Sequence, residues 1–259
     1  FQSSIVQKLS QISSKTEYLI ITPEEFLAPA ESLAVFRSSD KSASPLQTAV
    51  VAVENIYRHY TAGRLSPIAI RNYIAYARSV CPDLRFVLLA GSGQYDYRGF
   101  NAKYGKNYMP PFEKESYVTE DFFAALDSGE VVRSGKMYDL DLALGRLPVS
   151  SVDEFYGYVS KARDYDEVNW FDQSEWRSTL LLAADDDRNS VEKDIIEHTG
   201  YQETLARAID AVAASQGFRL NLKKIYLLDY VFDAAGQKMD AMNDFLNVMN
   251  QGALMTTYF

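Results

Sequence analysis

Apolar positions along the chain fall into short continuous runs, and stretches of helical spacing separate them. Residues 18–22 (YLIIT), 46–53 (LQTAVVAV) and 85–91 (RFVLLAG) are too short for helices and rich in aliphatic residues, the pattern of strands buried on both faces of a parallel sheet. Between them, residues 23 to about 38, 54–60 and 66–78 space their apolar residues as helices do. Thr22-Pro23-Glu24-Glu25 has capping-box spacing with proline at the first helical position; Ser66-Pro67 opens another helix, and Pro82 closes the connection after it. Strand, helix, strand, helix, strand is the order of a doubly wound α/β unit.

The alternation restarts further on. Residues 140–149 (LDLALGRLPV), 178–186 (STLLLAADD), 224–230 (KIYLLDY) and 252–258 (GALMTTY) read as strands, with helices over 151–165, about 191–216 and about 237–250. Between the two halves, residues 92–117 shift to Gly, Tyr, Asn, Lys and Pro, too long a stretch for a simple connection. Ile5, Leu9 and Ile12, spaced by four and three, give a short amphipathic lead-in helix. The expected organisation is a lead-in of residues 1–16, a first subdomain over 17–117 and a second over 118–259.

Composition narrows the function classes. With 259 residues and 47% apolar content the chain can fill a real core. No apolar stretch approaches the roughly 20 residues that span a bilayer, so the chain is expected to be soluble. The balance of 26 basic against 35 acidic residues, a net charge of −9, argues against nucleic acid as a partner. Cys81 is the single cysteine, which rules out a disulfide framework, and two histidines, His59 and His198, are few for a metalloenzyme.

Candidate chemistry is sparse. GSGQYDYRG (residues 91–99) follows a strand but lacks the third glycine of a dinucleotide fingerprint, with Asp96 near its place, so a tight turn is expected there. ADDDRN (184–189) sits at a strand's carboxyl end, where open α/β sheets bind ligands. Asp185, Asp187 and Asn189 alternate as a calcium loop begins, yet Ser190 and Ile196 stand where such a loop needs glycine and glutamate. Asp185, Asp186 and Asp187 are thus candidates for substrate or cation contact, calcium being the cation considered, beside the plainer reading of a solvated turn before a helix. Asp139 and Asp141 share one side if extended, and Arg146 is the cation available to pair with them. His59, His198 and Cys81 have no partner at a recognisable catalytic spacing, and Cys81 reads as a small apolar filler.

Several stretches taken in order, YLIITPEEF, RFVLLAGSGQYDYRG, VTEDFFAALDSGE, LDLALGRLPVSSVDEFYGYVSKARDYD, LLLAADD and GALMTTYF, resemble successive segments of the gingipain-type cysteine peptidases, and within them look most like the type IX secretion sortases. The resemblance implies a caspase-like α/β fold of two side-by-side subdomains with mainly parallel sheets. It implies a catalytic histidine in a Gly-His-Gly turn after a strand like GALMTTYF and a cysteine at the end of the next strand, so both are expected downstream of Phe259 and no catalytic residue within the chain. Ser92 departs from the family, which usually has an acid after the strand glycine. The implied activity is removal of a carboxyl-terminal secretion signal from cargo at the cell surface, on the extracellular face of the outer membrane, with transfer to an anionic sugar lipid and no required cofactor. The implied partners are cargo proteins, other outer-membrane secretion components, or a second chain carrying the catalytic segment. A non-catalytic binding or docking module of the same fold remains the alternative.

Overall fold

The computed structural model describes residues 9, 12–97, 99–101, 103, 105–114, 117–127, 139–167, 175–186 and 197–259. They form two compact units, Phe1–Asn169 and Trp170–Phe259.

The first unit runs β1 (Tyr18–Thr22), α1 (Leu27–Arg37), β2 (Thr48–Ala52), α2 (Val53–Thr61), α3 (Pro67–Val80) and β3 (Phe86–Ala90). A two-residue hairpin, β4 (Glu113–Lys114) and β5 (Tyr117–Val118), then precedes α4 (Asp121–Ala124), β6 (Ala143–Leu147) and α5 (Val152–Glu167). Its main sheet is parallel throughout, in the order β2-β1-β3-β6, with Tyr18 opposite Thr48 on one side and Phe86 on the other.

Alternation along β1 sorts the core into two layers. Leu19 and Ile21 pack with Ile56, Ile70, Tyr73 and Ile74 of α2 and α3, whereas Ile20 packs with Leu33 and Phe36 of α1 and Phe155 and Val159 of α5. These β1 side chains are completely shielded, and each such burial contributes about 1.5–3 kcal/mol.

The expected division after residue 117 runs through this unit. β6, assigned above to the second subdomain, pairs with β3 and completes the first sheet. The capping box at Thr22 does not form: Thr22 is buried and its hydroxyl donates to the Ala90 carbonyl (3.2 Å), while Glu24–Phe26 make a 3-10 turn with no side-chain cap. Ser66 does cap α3, accepting from the Ala69 N–H at 3.4 Å.

The second unit runs β7 (Thr179–Ala184), α6 (His198–Ser215), β8 (Asn221–Tyr226), α7 (Met239–Gln251) and β9 (Met255–Tyr258). Its sheet is also parallel, in the order β8-β7-β9. β7 is buried along its whole length, with Leu182 against Leu205 and Ala206 of α6 and Leu181 against Ala241, Phe245 and Val248 of α7. β8 starts and ends earlier than the 224–230 run suggests, because Leu227–Asp229 turn into a 3-10 helix that keeps Leu227 against the α7 layer. The first residues expected in α6, 191–196, and Ile5 of the lead-in lie outside the described residues. Among the described residues no helix is long and apolar enough to cross a membrane.

Candidate functional site

The carboxyl ends of β7, β8 and β9 form one edge of the second unit, the position where open parallel sheets take ligands. β7 runs out into Asp185 and Asp186. The Asp185 N–H donates to the Phe259 carbonyl (2.9 Å) and the Phe259 N–H donates to the Ala183 carbonyl (3.2 Å), which carries the β7–β9 pairing to Phe259. Asp185 also accepts from the Asp186 N–H at 2.7 Å. The Tyr258 hydroxyl titrates above its ordinary value, first through burial and then through the negative fields of Asp185 and Asp186.

Gln202 of α6 fastens this edge from one face. It is completely buried; its Nε2 donates to the Ala183 carbonyl (2.7 Å) and its Oε1 accepts from the Thr257 hydroxyl (3.0 Å). One amide thus spans the central strand and β9, and the neighbouring Tyr201 ring stacks on Phe259 with centroids 6.1 Å apart. From the other face Lys238, at the start of α7, donates to the Leu227 carbonyl (2.6 Å) and lies over the Phe232 ring at 4.6 Å. Asp186 is its counter-ion at 3.6 Å, and the lysine side chain is only 8% exposed. A cleft of about 440 Å³ opens beside it between α7 and the sheet.

Of the acidic candidates, the structure brings Asp185 and Asp186 to this edge; Asp187 and Asn189 lie outside the described residues. Among the described residues no group of three or more His, Cys, Asp or Glu side chains is arranged to hold a metal ion. Gln202 and Lys238 were not singled out from sequence. The signal available was a polar residue on an inward stripe, since Gln202 precedes Leu205 and Ala206 by three and four positions and Lys238 precedes Ala241 by three.

In the first unit the strand carboxyl ends are filled by their own chain. The Gly91 and Ser92 N–H groups donate to the Leu147 and Val149 carbonyls, each at 2.8 Å, so they are not free to cradle a phosphate. A Cβ at Gly91, whose φ is +143°, would stand 3.0 Å from Tyr108 Cβ, and one at Gly93 would stand 2.7 Å from the Met109 carbonyl oxygen. The glycines therefore admit the 108–111 segment rather than a nucleotide. Ser92 shares a hydrogen bond with the Ser150 hydroxyl at 2.9 Å.

The pairing expected between Arg146 and Asp139 or Asp141 is replaced by another. Arg146 binds Glu120 with two nitrogens, at 2.6 and 3.2 Å, and donates to the Met109 carbonyl at 2.8 Å. Asp141 precedes β6 and accepts from the Leu126 N–H (2.7 Å), because the bend there turns it toward the end of α4.

Cys81 closes α3, five residues before β3 begins and so on the amino side of that sheet. It is fully buried, donates to the Ser13 carbonyl (3.2 Å), and burial raises its thiol pKa, the opposite of what a nucleophile needs. His59 is exposed on α2 against Tyr60. His198 begins α6, with Nδ1 buried and without a hydrogen-bond partner among the described residues.

The chain matches peptidase family C25 over residues 11–259. No curated protein matches it. Among solved structures, the Arg-specific cysteine proteinase gingipain R aligns with 95% of this chain and 47% of its own, at a TM-score of 0.62 and 13% identity. The complex of Porphyromonas gingivalis RgpB pro- and mature domains aligns over 93% of this chain and 47% of its own, at 0.61 and 13%. Dimeric latent PorU from Porphyromonas gingivalis aligns over 62% of this chain and 16% of its own, at 0.50 and 24% identity. The chain therefore spans less than half the length of these relatives, and the likenesses establish a gingipain-like, caspase-like α/β fold with two parallel sheets flanked by helices. The family match takes in both sheets and their helices, and the chain belongs to peptidase family C25.

Proposed function

We propose that the protein containing this chain is a surface cysteine endopeptidase and transpeptidase of the type IX sortase kind. It removes carboxyl-terminal secretion signals from cargo on the extracellular face of the outer membrane and passes the product to an anionic sugar lipid. The observation that carries this reading is the family match, which spans residues 11–259 and so takes in both sheets. The similarity to latent PorU supports the choice within the family.

In this reading a thiolate activated by an imidazole attacks the peptide carbonyl, and the acyl-enzyme is resolved by water or by an amine. The thiol and imidazole are residues downstream of Phe259, in the Gly-His-Gly turn and following strand that the resemblance implies, or on a second chain. This chain's part is to hold the strand edge: Gln202 and Tyr201 fix β9, and Asp185 and Asp186 stand at the edge as contacts for substrate or a cation such as calcium, Asp187 being the third candidate by sequence. Cargo and other outer-membrane secretion components are the partners.

Full-length protein is incubated with cargo bearing its carboxyl-terminal signal, with and without prior thiol alkylation, and the product mass is read. Signal loss with gain of a sugar lipid, abolished by alkylation, is expected; cleavage that survives alkylation overturns the reading, and cargo binding without cleavage leaves the docking module. The 259-residue chain alone is expected to show no thiol-dependent cleavage. Activity there that Cys81→Ser removes would transfer the chemistry to Cys81.

A further inference from the structure

The first unit holds a pocket of about 260 Å³ along the outer edge of β2. Four consecutive β2 residues, Thr48 to Val51, line it, and Ile12 and Thr16 of the lead-in supply further wall. Successive strand side chains point to opposite faces, so a pocket that touches all four runs along the strand edge rather than over one face. β2 ends the sheet order β2-β1-β3-β6, and among the described residues no strand pairs with its outer side. The edge is also uncharged. β6 and β8, at the ends of their sheets, carry Arg146 and Lys223 with Lys224, charges that discourage a further strand, whereas β2 (TAVVA), like β9 (MTTY), has neither charge nor proline.

A buried polar group of this pocket is left unmatched. Tyr73 of α3 is among the lining residues and is completely shielded, yet its hydroxyl has no hydrogen-bond partner among the described residues. An unpaired donor in a closed site costs stability, and a ligand that pairs with it recovers that cost. Burial first, then Cys81, Tyr60 and Tyr76 nearby, raise the Tyr73 pKa, so the hydroxyl keeps its proton and calls for an acceptor. Asn55 of α2, also buried, adds an amide to the wall. Among the described residues no charged side chain lines the pocket, so an ion entering it would be desolvated without a counter-ion. A water's share of liquid volume is about 30 Å³, so the space admits more than a single bridging water. The lining therefore selects an uncharged ligand that brings a carbonyl oxygen to Tyr73 and main-chain groups to β2.

We propose that the β2 edge binds an uncharged, extended segment of another protein by strand addition, and that a carboxamide side chain of that segment accepts from the Tyr73 hydroxyl. In this mode main-chain pairing supplies the affinity and the pocket supplies the selectivity. A second copy pairing β2 to β2 brings only Thr, Ala and Val, so it offers Tyr73 no carboxamide. The site belongs to the first unit and does not draw on the peptidase reading.

The test uses thiol-alkylated full-length protein, so that the probe is not cleaved, and fluorescein-labelled Thr-Val-Asn-Val-Thr peptides followed by anisotropy. The Asn peptide is expected to bind about tenfold more tightly than its Leu counterpart, which leaves Tyr73 unpaired, and more tightly still than its Asp counterpart, which brings an uncompensated charge. Methylating alternate peptide nitrogens, in either register, removes main-chain donors and abolishes binding. Tyr73→Phe keeps the ring and removes only the hydroxyl; it should bring the Asn peptide down to the affinity of the Leu peptide, with melting temperature checking that the fold persists. No binding of any peptide, which leaves the pocket to ordered water, overturns the proposal. So does equal binding of the methylated peptides, or an Asn preference that survives Tyr73→Phe. Self-association of the protein that the Asn peptide does not displace assigns the edge to a second copy and overturns it as well.

Discussion

In the first unit β1 lies between β2 and β3; in the second, β7 lies between β8 and β9. Each unit therefore begins with a central strand, sends the next strand to one side and the third to the other, and lays helices on both faces. The central strands are equally shielded, with Leu19, Ile20 and Ile21 of β1 and Leu181 and Leu182 of β7 all at 0% exposure. The helix layers are not. Ile70, Tyr73, Ile74 and Ala77 of α3 are completely buried, whereas Met242, Leu246 and Met249 of α7 stay 46–48% exposed. The same winding thus isolates a central strand from water whether or not its flanking helix buries every apolar residue it carries.

That difference sets the largest expected effects. Ile20→Ala in β1, Leu181→Ala in β7 and Ile74→Ala in α3 each leave a cavity in a closed environment and should cost about 2–5 kcal/mol in denaturant unfolding. A loss under about 1 kcal/mol for Leu181→Ala would show that the second unit yields around β7 and would end the equivalence of the central strands.

Next come the side-chain ties between first and third strands. The first unit has one hydrogen bond, from the Thr22 hydroxyl to the Ala90 carbonyl; the second has the two bonds of Gln202, to Ala183 and Thr257. Gln202→Leu should cost about 1–3 kcal/mol, because the Ala183 carbonyl loses a donor in a closed site and the half-buried Thr257 hydroxyl loses its acceptor. Thr22→Val should cost about 1 kcal/mol, one net hydrogen bond. Hydrogen exchange separates the two roles: Gln202→Leu should speed exchange at the Thr257 and Phe259 amides selectively, and uniform acceleration would reduce it to a stability effect.

Acid titration sharpens the contrast because two glutamates shift in opposite directions. Burial raises Glu54 of the first unit above its ordinary 4.5, with smaller opposing pulls from hydrogen bonds to the backbone. Its folded state prefers the proton, so its charged form costs stability above that value, and acidification relieves the cost. Glu203 of the second unit is lowered, first by the Lys224 ammonium and then by the Tyr226 hydroxyl, at 2.7 and 2.8 Å. Its contribution is present above the unfolded value and disappears as pH falls through the lower folded value. At neutral pH, Glu54→Gln should therefore raise the melting temperature and Glu203→Gln lower it, with both differences shrinking below pH 4.5. The same sign for both would break this part of the comparison.

The strands and helices were legible because each central strand is a continuous apolar run and each helix keeps its period. The limits of that legibility are local. The apolar run through Leu227 and Tyr230 reads as strand, yet burial there is achieved by a 3-10 turn. Arg146 reads as a partner for the nearby Asp139 and Asp141, yet its carboxylate comes from Glu120, which only the tertiary fold brings within 2.6 Å. At the candidate site Asp185 and Asp186 were legible from strand-end position. Gln202 and Lys238 were not, because a single polar residue on an inward helical stripe looks the same whether it faces solvent at the rim or a carbonyl in the core.

The smallest expected effect tests the exposed face of α7. Ala241, Phe245 and Val248 of this helix pack against the sheet, whereas Leu246, 48% exposed, stands outside that cluster; Met242 lines the cleft beside the sheet and the Met249 sulfur accepts from the Thr256 hydroxyl of β9 at 3.5 Å. Half-exposed side chains have gained little of the roughly 1.5–3 kcal/mol that full burial provides. Leu246→Gln should therefore change unfolding free energy by less than about 0.5 kcal/mol, while lowering the tendency to associate, read by light scattering against concentration. Phe245→Ala, one position from Leu246 but turned toward β8, should cost several times more. If Leu246→Gln cost as much as Phe245→Ala, Leu246 would be buried in solution by an association that covers α7, and the two units would be alike in helix burial as well as in winding.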